Sequence, residues 1–251
     1  MHATIPLQES DLEFDNGTFD SAAFAAKVLA NRQSLAAVIE HTLLSPAATR
    51  EQVESLCEQA ARYGFACAVV TPVWASTAVS ALAGTGIPAG AVIGFPLGAS
   101  LASTLRQEAA ALTRLGVREL DMVLPVGQLK SGNYQAVQHT IRTAVNVAHH
   151  HGAHLKVILE TCLLTMEEKL RASEIVIQAG ADFIKTSTGF AAGGATAADV
   201  ALLRGVAGAR CGIKASGGIQ TLAAVRTMLE AGANRIGTSA SVAIVQELGA
   251  E

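Results

Sequence analysis

Aromatic side chains are scarce in this sequence: Phe, Trp and Tyr make up 4% of its 251 residues. The core must therefore be aliphatic, built from Ala, Val, Leu and Ile. Charge is also sparse, at 16%, and nearly balanced, with a net value of −3. No basic excess exists to hold a nucleic acid or an acidic membrane surface. The four cysteines, Cys57, Cys67, Cys162 and Cys211, form no C-x-x-C pair and no zinc spacing. Reduced thiols in a cytoplasmic protein are the plain expectation. No uninterrupted apolar run reaches the roughly 20 residues that a membrane-spanning helix needs. The opening M-H-A-T-I-P-L-Q-E-S lacks the basic stretch and apolar run of a signal peptide. No G-x-G-x-x-G follows the first strand-like run, which weakens a dinucleotide-binding sheet.

What is present is a rhythm. Short apolar runs fall at 37–41, 66–70, 90–94, 119–124, 155–160, 182–186, 212–215 and 235–238. They read as parallel strands buried on both faces. Alanine-rich amphipathic segments lie between and after them, at about 47–63, 73–83, 103–115, 134–150, 166–179, 196–207, 220–231 and 240–248. Glycines at 64, 116, 180 and 232 mark helix-to-strand turns. Eight strand–helix units argue for an α/β fold, a closed (β/α)8 TIM barrel, with an open doubly wound sheet as the alternative. Residues 1–19 read as a polar lead. Asp20 is placed to cap an extra N-terminal helix over 21–32, with Phe24, Val28 and Leu29 on one face, covering the bottom of the barrel. The expected division is 1–33 for lead and capping helix and 34–251 for the barrel.

In such a barrel chemistry sits at the C-terminal ends of the strands. Two stretches there share a plan: D-F-I-K-T-S-T-G-F at 182–190 and G-I-K-A-S-G-G-I at 212–219. Each is a short strand ending in one lysine, Lys185 and Lys214, followed by small residues. A lone strand-end lysine can simply reach solvent. Two on neighbouring strands point their amines into one mouth, and mutual repulsion lowers the pKa of one. Other polar residues at strand ends are Glu40, His41, Thr42, Thr71, Asp121, Glu160 and Thr161. Asp121 lies inside the apolar run E-L-D-M-V-L, either pairing a lysine or carrying protons. Strand alternation places Glu119 on the same side as Asp121, and Lys156 on the same side as Glu160. A low-lying Lys156–Glu119 pair follows. Glycine-rich ends at 216–218 and 237–239, with Gly193-Gly194, suit a phosphate cradle of backbone amides. His149, His150 and His151 are consecutive, so they cannot share a helix face to chelate a metal; a solvated helix end is expected. Trp74, Met122, Met166 and Met228 are expected to be packing residues, with Cys57 and Cys211 as small buried groups.

From about residue 35 to 245 the chain resembles the deoxyribose-phosphate aldolase family. F-I-K-T-S-T-G and I-K-A-S-G-G-I carry the resemblance. E-L-D-M-V, L-K-V-I-L-E-T, G-A-T at 194–196 and R-I-G-T-S at 235–239 support it. The resemblance implies a lyase that forms a Schiff base at Lys185, with Lys214 perturbing it and Asp121 relaying protons. It implies no metal or organic cofactor. It also implies a sugar-phosphate substrate, a homodimer, and a cytoplasmic place in deoxyribonucleotide catabolism. Thr42, Thr186, Gly189, Gly217, Gly218, Gly237 and Ser239 are the expected substrate-binding residues. Three positions depart from familiar members. Glu40 stands where Asp is usual, Phe190 where some carry a basic residue, and Gln220 where many carry Arg. The rivals are a pyridoxal-phosphate barrel, a metal-dependent aldolase and a catalytically silent sugar-phosphate binder.

Overall fold

The computed structural model describes residues 14–15 and 18–249; the remainder of the expected lead lies outside the described residues. A two-residue hairpin pairs β1 (Phe14–Asp15) with β2 (Thr18–Phe19), antiparallel. Two helices follow, where one was expected. Asp20 caps α1 (Ser21–Val28) by accepting from the Ala23 amide at 2.9 Å. Asn31 then takes an extended backbone and accepts from the Ser34 amide, which starts a separate α2, Arg32–Ala36. Asn is a strong N-cap, and its local bond breaks the long helix in two. Helix α2 stops just short of the expected first strand, which begins two residues later than expected, at Ile39. Helix α1 packs on α10 (Leu222–Glu230), near the turn before β10.

Eight parallel strands close a barrel in the order β10-β3-β4-β5-β6-β7-β8-β9. They are β3 (Ile39–Leu43), β4 (Cys67–Val70), β5 (Ala89–Ile93), β6 (Glu119–Val123), β7 (His154–Ile158), β8 (Phe183–Lys185), β9 (Gly212–Ser216) and β10 (Arg235–Thr238). The interleaved helices are α3 (Arg50–Tyr63), α4 (Ala75–Ala81), α5 (Ala102–Leu115), α7 (Tyr134–His150), α8 (Met166–Ala179), α9 (Ala197–Ala207) and α11 (Ser241–Glu247), together with α10. A short α6, Val126–Lys130, was not expected, because V-G-Q-L-K after Pro125 is too brief to show a helical period. Thr49 and Thr165 each build a capping box, with Gln52 and Glu168, and fix the starts of α3 and α8.

The main hydrophobic core lies between the barrel wall and the helices, filled by aliphatic side chains such as Val53, Leu120, Val157 and Ile213. Met122 and Met228 are buried in it, and Trp74 packs partly buried against it. Met166 departs from expectation: it is 70% exposed, because it opens α8 at the barrel rim. Inside the barrel the apolar filling is small, with Cys67, Val69 and Val92 in one cluster. The rest of the interior is charged, and that layer is the site.

Candidate active site

Parallel pairing sets Lys185 of β8 directly beside Lys214 of β9. Both side chains turn into the barrel, where each amine lies 2.6 Å from the same Asp121 oxygen, Oδ2. Lys214 also pairs with Glu40 Oε2 from β3. Gly237 on β10 makes this possible, since a Cβ there would sit 2.9 Å from Lys214 Cε. Beneath, Lys156 donates to Glu119, the low-lying pair that strand alternation predicted. Lys156 reaches further than expected, lying 3.3 Å from Glu40 Oε1 and 3.4 Å from Asp121 Oδ1. Arg235 Nε adds a contact to Glu40 at 3.8 Å.

Four cations thus face three carboxylates in a nearly dry interior. A buried excess charge is costly, so one cation is pressed to lose its proton. Lys185 is that group. Burial lowers its pKa most and the Lys214 charge lowers it further, against the pull of Asp121, bringing it to about 8. Burial acts on Lys214 as well, yet Asp121 and Glu40 together outweigh it and hold its pKa above the usual value. The difference is in partners: Lys214 has two carboxylates, and Lys185 has a share of one. Burial would raise Asp121, but Lys185, Lys214 and Lys156 keep it well below the ordinary carboxylate range. At neutral pH the layer therefore holds an ionised Asp121, a charged Lys214 and a Lys185 that is neutral about a tenth of the time.

Above the layer opens a cavity of about 380 Å³ at the C-terminal ends of β3, β8, β9 and β10. Lys185 lines it; Lys214 and Asp121 do not. Thr42, Gly189, Gly217, Gly218, Gly237 and Ser239 all line it, as do Phe190 and Gln220. Gly189, Gly217 and Gly218 take positive φ, between 78° and 90°, which glycine adopts without strain. Thr42 spends its hydroxyl proton on the Glu40 carbonyl at 2.9 Å. Thr186 is placed differently from expectation. Its hydroxyl donates to the Ser216 carbonyl and accepts from the Ser216 amide, so it fastens β8 to β9 and does not line the cavity. Gly194 likewise lies behind the cradle, packed on Gly217. Lys185 is the only cationic residue lining the cavity among those described, and Phe190 is half exposed with its ring edge-on to Phe95.

Sequence reasoning missed Thr188 and the loop 43–45 as lining residues, and the pairing of Glu40 with Lys214. His41 does not line the cavity, and neither do the histidine run, Cys57 or Cys211. His41 bonds Ser241 and Gln59 at 2.9 Å each. His149, expected to be solvated, reaches Asp182 at 3.0 Å. Burial pushes the Cys57 thiol up to about 11 and the Cys211 thiol up to about 12, as inert thiols require. Among the described residues no group of three or more His, Cys, Asp or Glu is arranged to hold a metal.

The family model described as "DeoC/LacD family aldolase" matches residues 10–247 of this chain. The chain is 49% identical to the deoxyribose-phosphate aldolase of Geobacillus sp. (strain WCH70), over 85% of this chain and 95% of the relative. It is also 49% identical to that of Listeria monocytogenes serovar 1/2a, over 84% and 95%. Among solved structures, a putative deoxyribose-phosphate aldolase from Coccidioides immitis superposes with a TM-score of 0.83 at 40% identity, covering 88% of this chain and 86% of that one. The tetrameric deoxyribose phosphate aldolase from Aeropyrum pernix gives 0.85 at 35% identity, covering 92% and 97%.

Proposed function

We infer the reaction from one premise: the chain belongs to the DeoC/LacD family of aldolases. It is a lyase that cleaves 2-deoxy-D-ribose 5-phosphate reversibly to D-glyceraldehyde 3-phosphate and acetaldehyde through a lysine Schiff base. The observation that carries this reading is the pair of lysines on one Asp121 oxygen, with only Lys185 open to the cavity.

The neutral Lys185 amine attacks the aldehyde carbon of the open-chain sugar, and loss of water leaves a protonated imine. The C2–C3 bond then breaks. Its electron pair moves toward the imine nitrogen and forms an enamine, while the C3 hydroxyl gives up its proton and becomes the aldehyde of the departing glyceraldehyde 3-phosphate. Protonation of the enamine carbon and hydrolysis release acetaldehyde and restore the amine. Asp121, ionised, is suited to accept protons, and Lys214, charged, to donate them, with water between them and the substrate. Residues 34–251 serve as the aldolase barrel, and 1–33 as its lead and cap. The same reading carries a homodimer, a cytoplasmic location and a role in deoxyribonucleotide catabolism. No helix among the described residues is long and apolar enough to cross a membrane.

The test is acetaldehyde release from 2-deoxyribose 5-phosphate by the parent protein and by Asp121→Asn. The parent should release it, and the variant should lose about 10²-fold in kcat with KM largely kept. No acetaldehyde from the parent would overturn the reaction. A rise in KM with kcat intact would make Asp121 a binding residue.

In this reading phosphate is held by neutral donors, the backbone amides near Gly189, Gly217, Gly218 and Gly237 and the Ser239 hydroxyl, all of which line the cavity. Gln220 lines the same wall without charge. Gln220→Arg should add a charge-assisted contact at a partly open site, worth about 1 kcal/mol or roughly a fivefold lower KM for the phosphorylated sugar. KM for unphosphorylated 2-deoxyribose should hardly move. Equal changes for both sugars would place the phosphate away from residue 220.

A further inference from the structure

Glu160 occupies a position where glutamate is costly on two counts. It follows β7 with φ at 56°, the one non-glycine residue at positive φ among those described. That backbone crowds any Cβ, and glycine would hold it without strain. Its side chain is also buried, at 4% exposure. Among the described residues its carboxylate has no lysine, arginine or histidine within ion-pair distance, and its donors come from Thr188 alone. The Thr188 amide lies 3.3 Å from both oxygens, and the Thr188 hydroxyl donates to Oε2. A strained backbone and a buried acid with no counter-ion among the described residues point to function, because neither favours folding.

Thr188, Gly189 and Phe190 form the β8 side of the cavity. The Thr188 hydroxyl, once its proton goes to Glu160, accepts from the Phe190 amide at 3.0 Å. Glu160 therefore orders the outer half of this loop through one residue. The inner half is fastened separately, by Thr186 and by Ser216 Oγ donating to the Ser187 carbonyl at 2.6 Å. The Lys185 amine is held by neither device; Asp121 holds it.

We infer that Glu160 is a positioning residue for the proposed reaction, an inference that rests on that reaction. Its carboxylate fixes the Thr188–Phe190 wall against which the sugar phosphate is seated. Because the amine is anchored independently, loss of the clamp should affect binding of the large substrate and spare imine formation with a small aldehyde.

The experiment uses the full chain with Glu160→Gln, Thr188→Val and the double variant. Glu160→Gln keeps the size but replaces one acceptor oxygen by an amide nitrogen that cannot accept from the Thr188 amide. KM for 2-deoxyribose 5-phosphate should rise about tenfold with kcat within about threefold of the parent. Labelling of Lys185 by acetaldehyde and borohydride should proceed as in the parent. Thr188→Val removes the hydroxyl bond to Glu160 Oε2 and leaves residue 160 untouched, so it gives the answer even if Glu160→Gln folds poorly. The double variant should be no worse than the worse single, since both remove one interaction. The inference is overturned if KM stays put in both single variants, if the two effects add, or if kcat and labelling fall along with the rise in KM. A parent protein that acetaldehyde does not label would overturn the reaction instead, whatever the variants do.

Discussion

Borohydride reduction in the presence of acetaldehyde is expected to leave an ethyl group on Lys185, and Lys185→Leu should lower turnover by about 10⁴-fold or more. Three lysines lie in the barrel interior, and access and charge both select this one. Lys156 is fully buried, and Glu119, Glu40 and Asp121 outweigh its burial to hold its pKa well above the ordinary value. Lys214 is held protonated by two carboxylates and does not line the cavity. Lys185 lines the cavity with a pKa near 8, so a usable fraction is an amine at neutral pH. The substitution should not unfold the protein. Asp121 keeps Lys214 and Lys156 as partners, and a group whose charged form is already disfavoured by burial is replaced by an apolar one of similar size. Peptide mapping of the reduced protein checks the assignment. An ethyl group on Lys214, with Lys185 unmodified, would reverse the roles of the two lysines.

The barrel was legible because its signal is local. Strands buried on both faces appear as short apolar runs, and the helices between them carry strong caps and glycine stops, as at Thr165 and Gly180. The expectations that failed are those in which one side chain overrides a pattern. Asn31 splits the first helix by capping a second. The lysine motifs could be read for a similar reason, since a cation ending a buried strand is conspicuous in one window of sequence. Thr186 was misplaced, because three consecutive hydroxylated residues, Thr186, Ser187 and Thr188, do not say which lines the cavity; Thr188 does, and Thr186 fastens the neighbouring strand. Glu40 shows the harder limit. Its partner Lys214 is 174 residues away, and only closure of the barrel, which sets β10 between β3 and β9, brings the two strands near each other. Neither residue's neighbourhood in sequence tells of the other.

That pairing of Glu40 with Lys214 gives the second large effect, expected from Lys214→Leu. Lys214 lowers the Lys185 pKa directly, as a like charge, and indirectly, by occupying the Asp121 oxygen that Lys185 shares at 2.6 Å. Removing it deletes the repulsion and leaves Lys185 without a rival at Asp121 Oδ2. Both changes favour the charged amine, so the pKa should rise above 8, although burial, its largest lowering influence, stays in place. Each unit of rise leaves about tenfold less neutral amine at pH 7. Loss of the proton donor adds a factor of about 10² or more. Turnover at pH 7 should therefore fall by roughly 10³-fold or more, and the acidic limb of the pH–rate profile should move to higher pH. Stability should fall too, since Glu40 keeps only Lys156 at 3.3 Å and Arg235 at 3.8 Å. A buried carboxylate stripped of its closest cation costs about 3–5 kcal/mol, less whatever a fully protonated Lys185 returns to Asp121. Kinetics from pH 6 to 10 with a parallel melting curve separate these effects. A profile whose acidic limb stays where the parent has it, at any level of activity, would mean that burial alone sets the Lys185 amine and that Lys214 serves only as proton donor and as partner to Glu40.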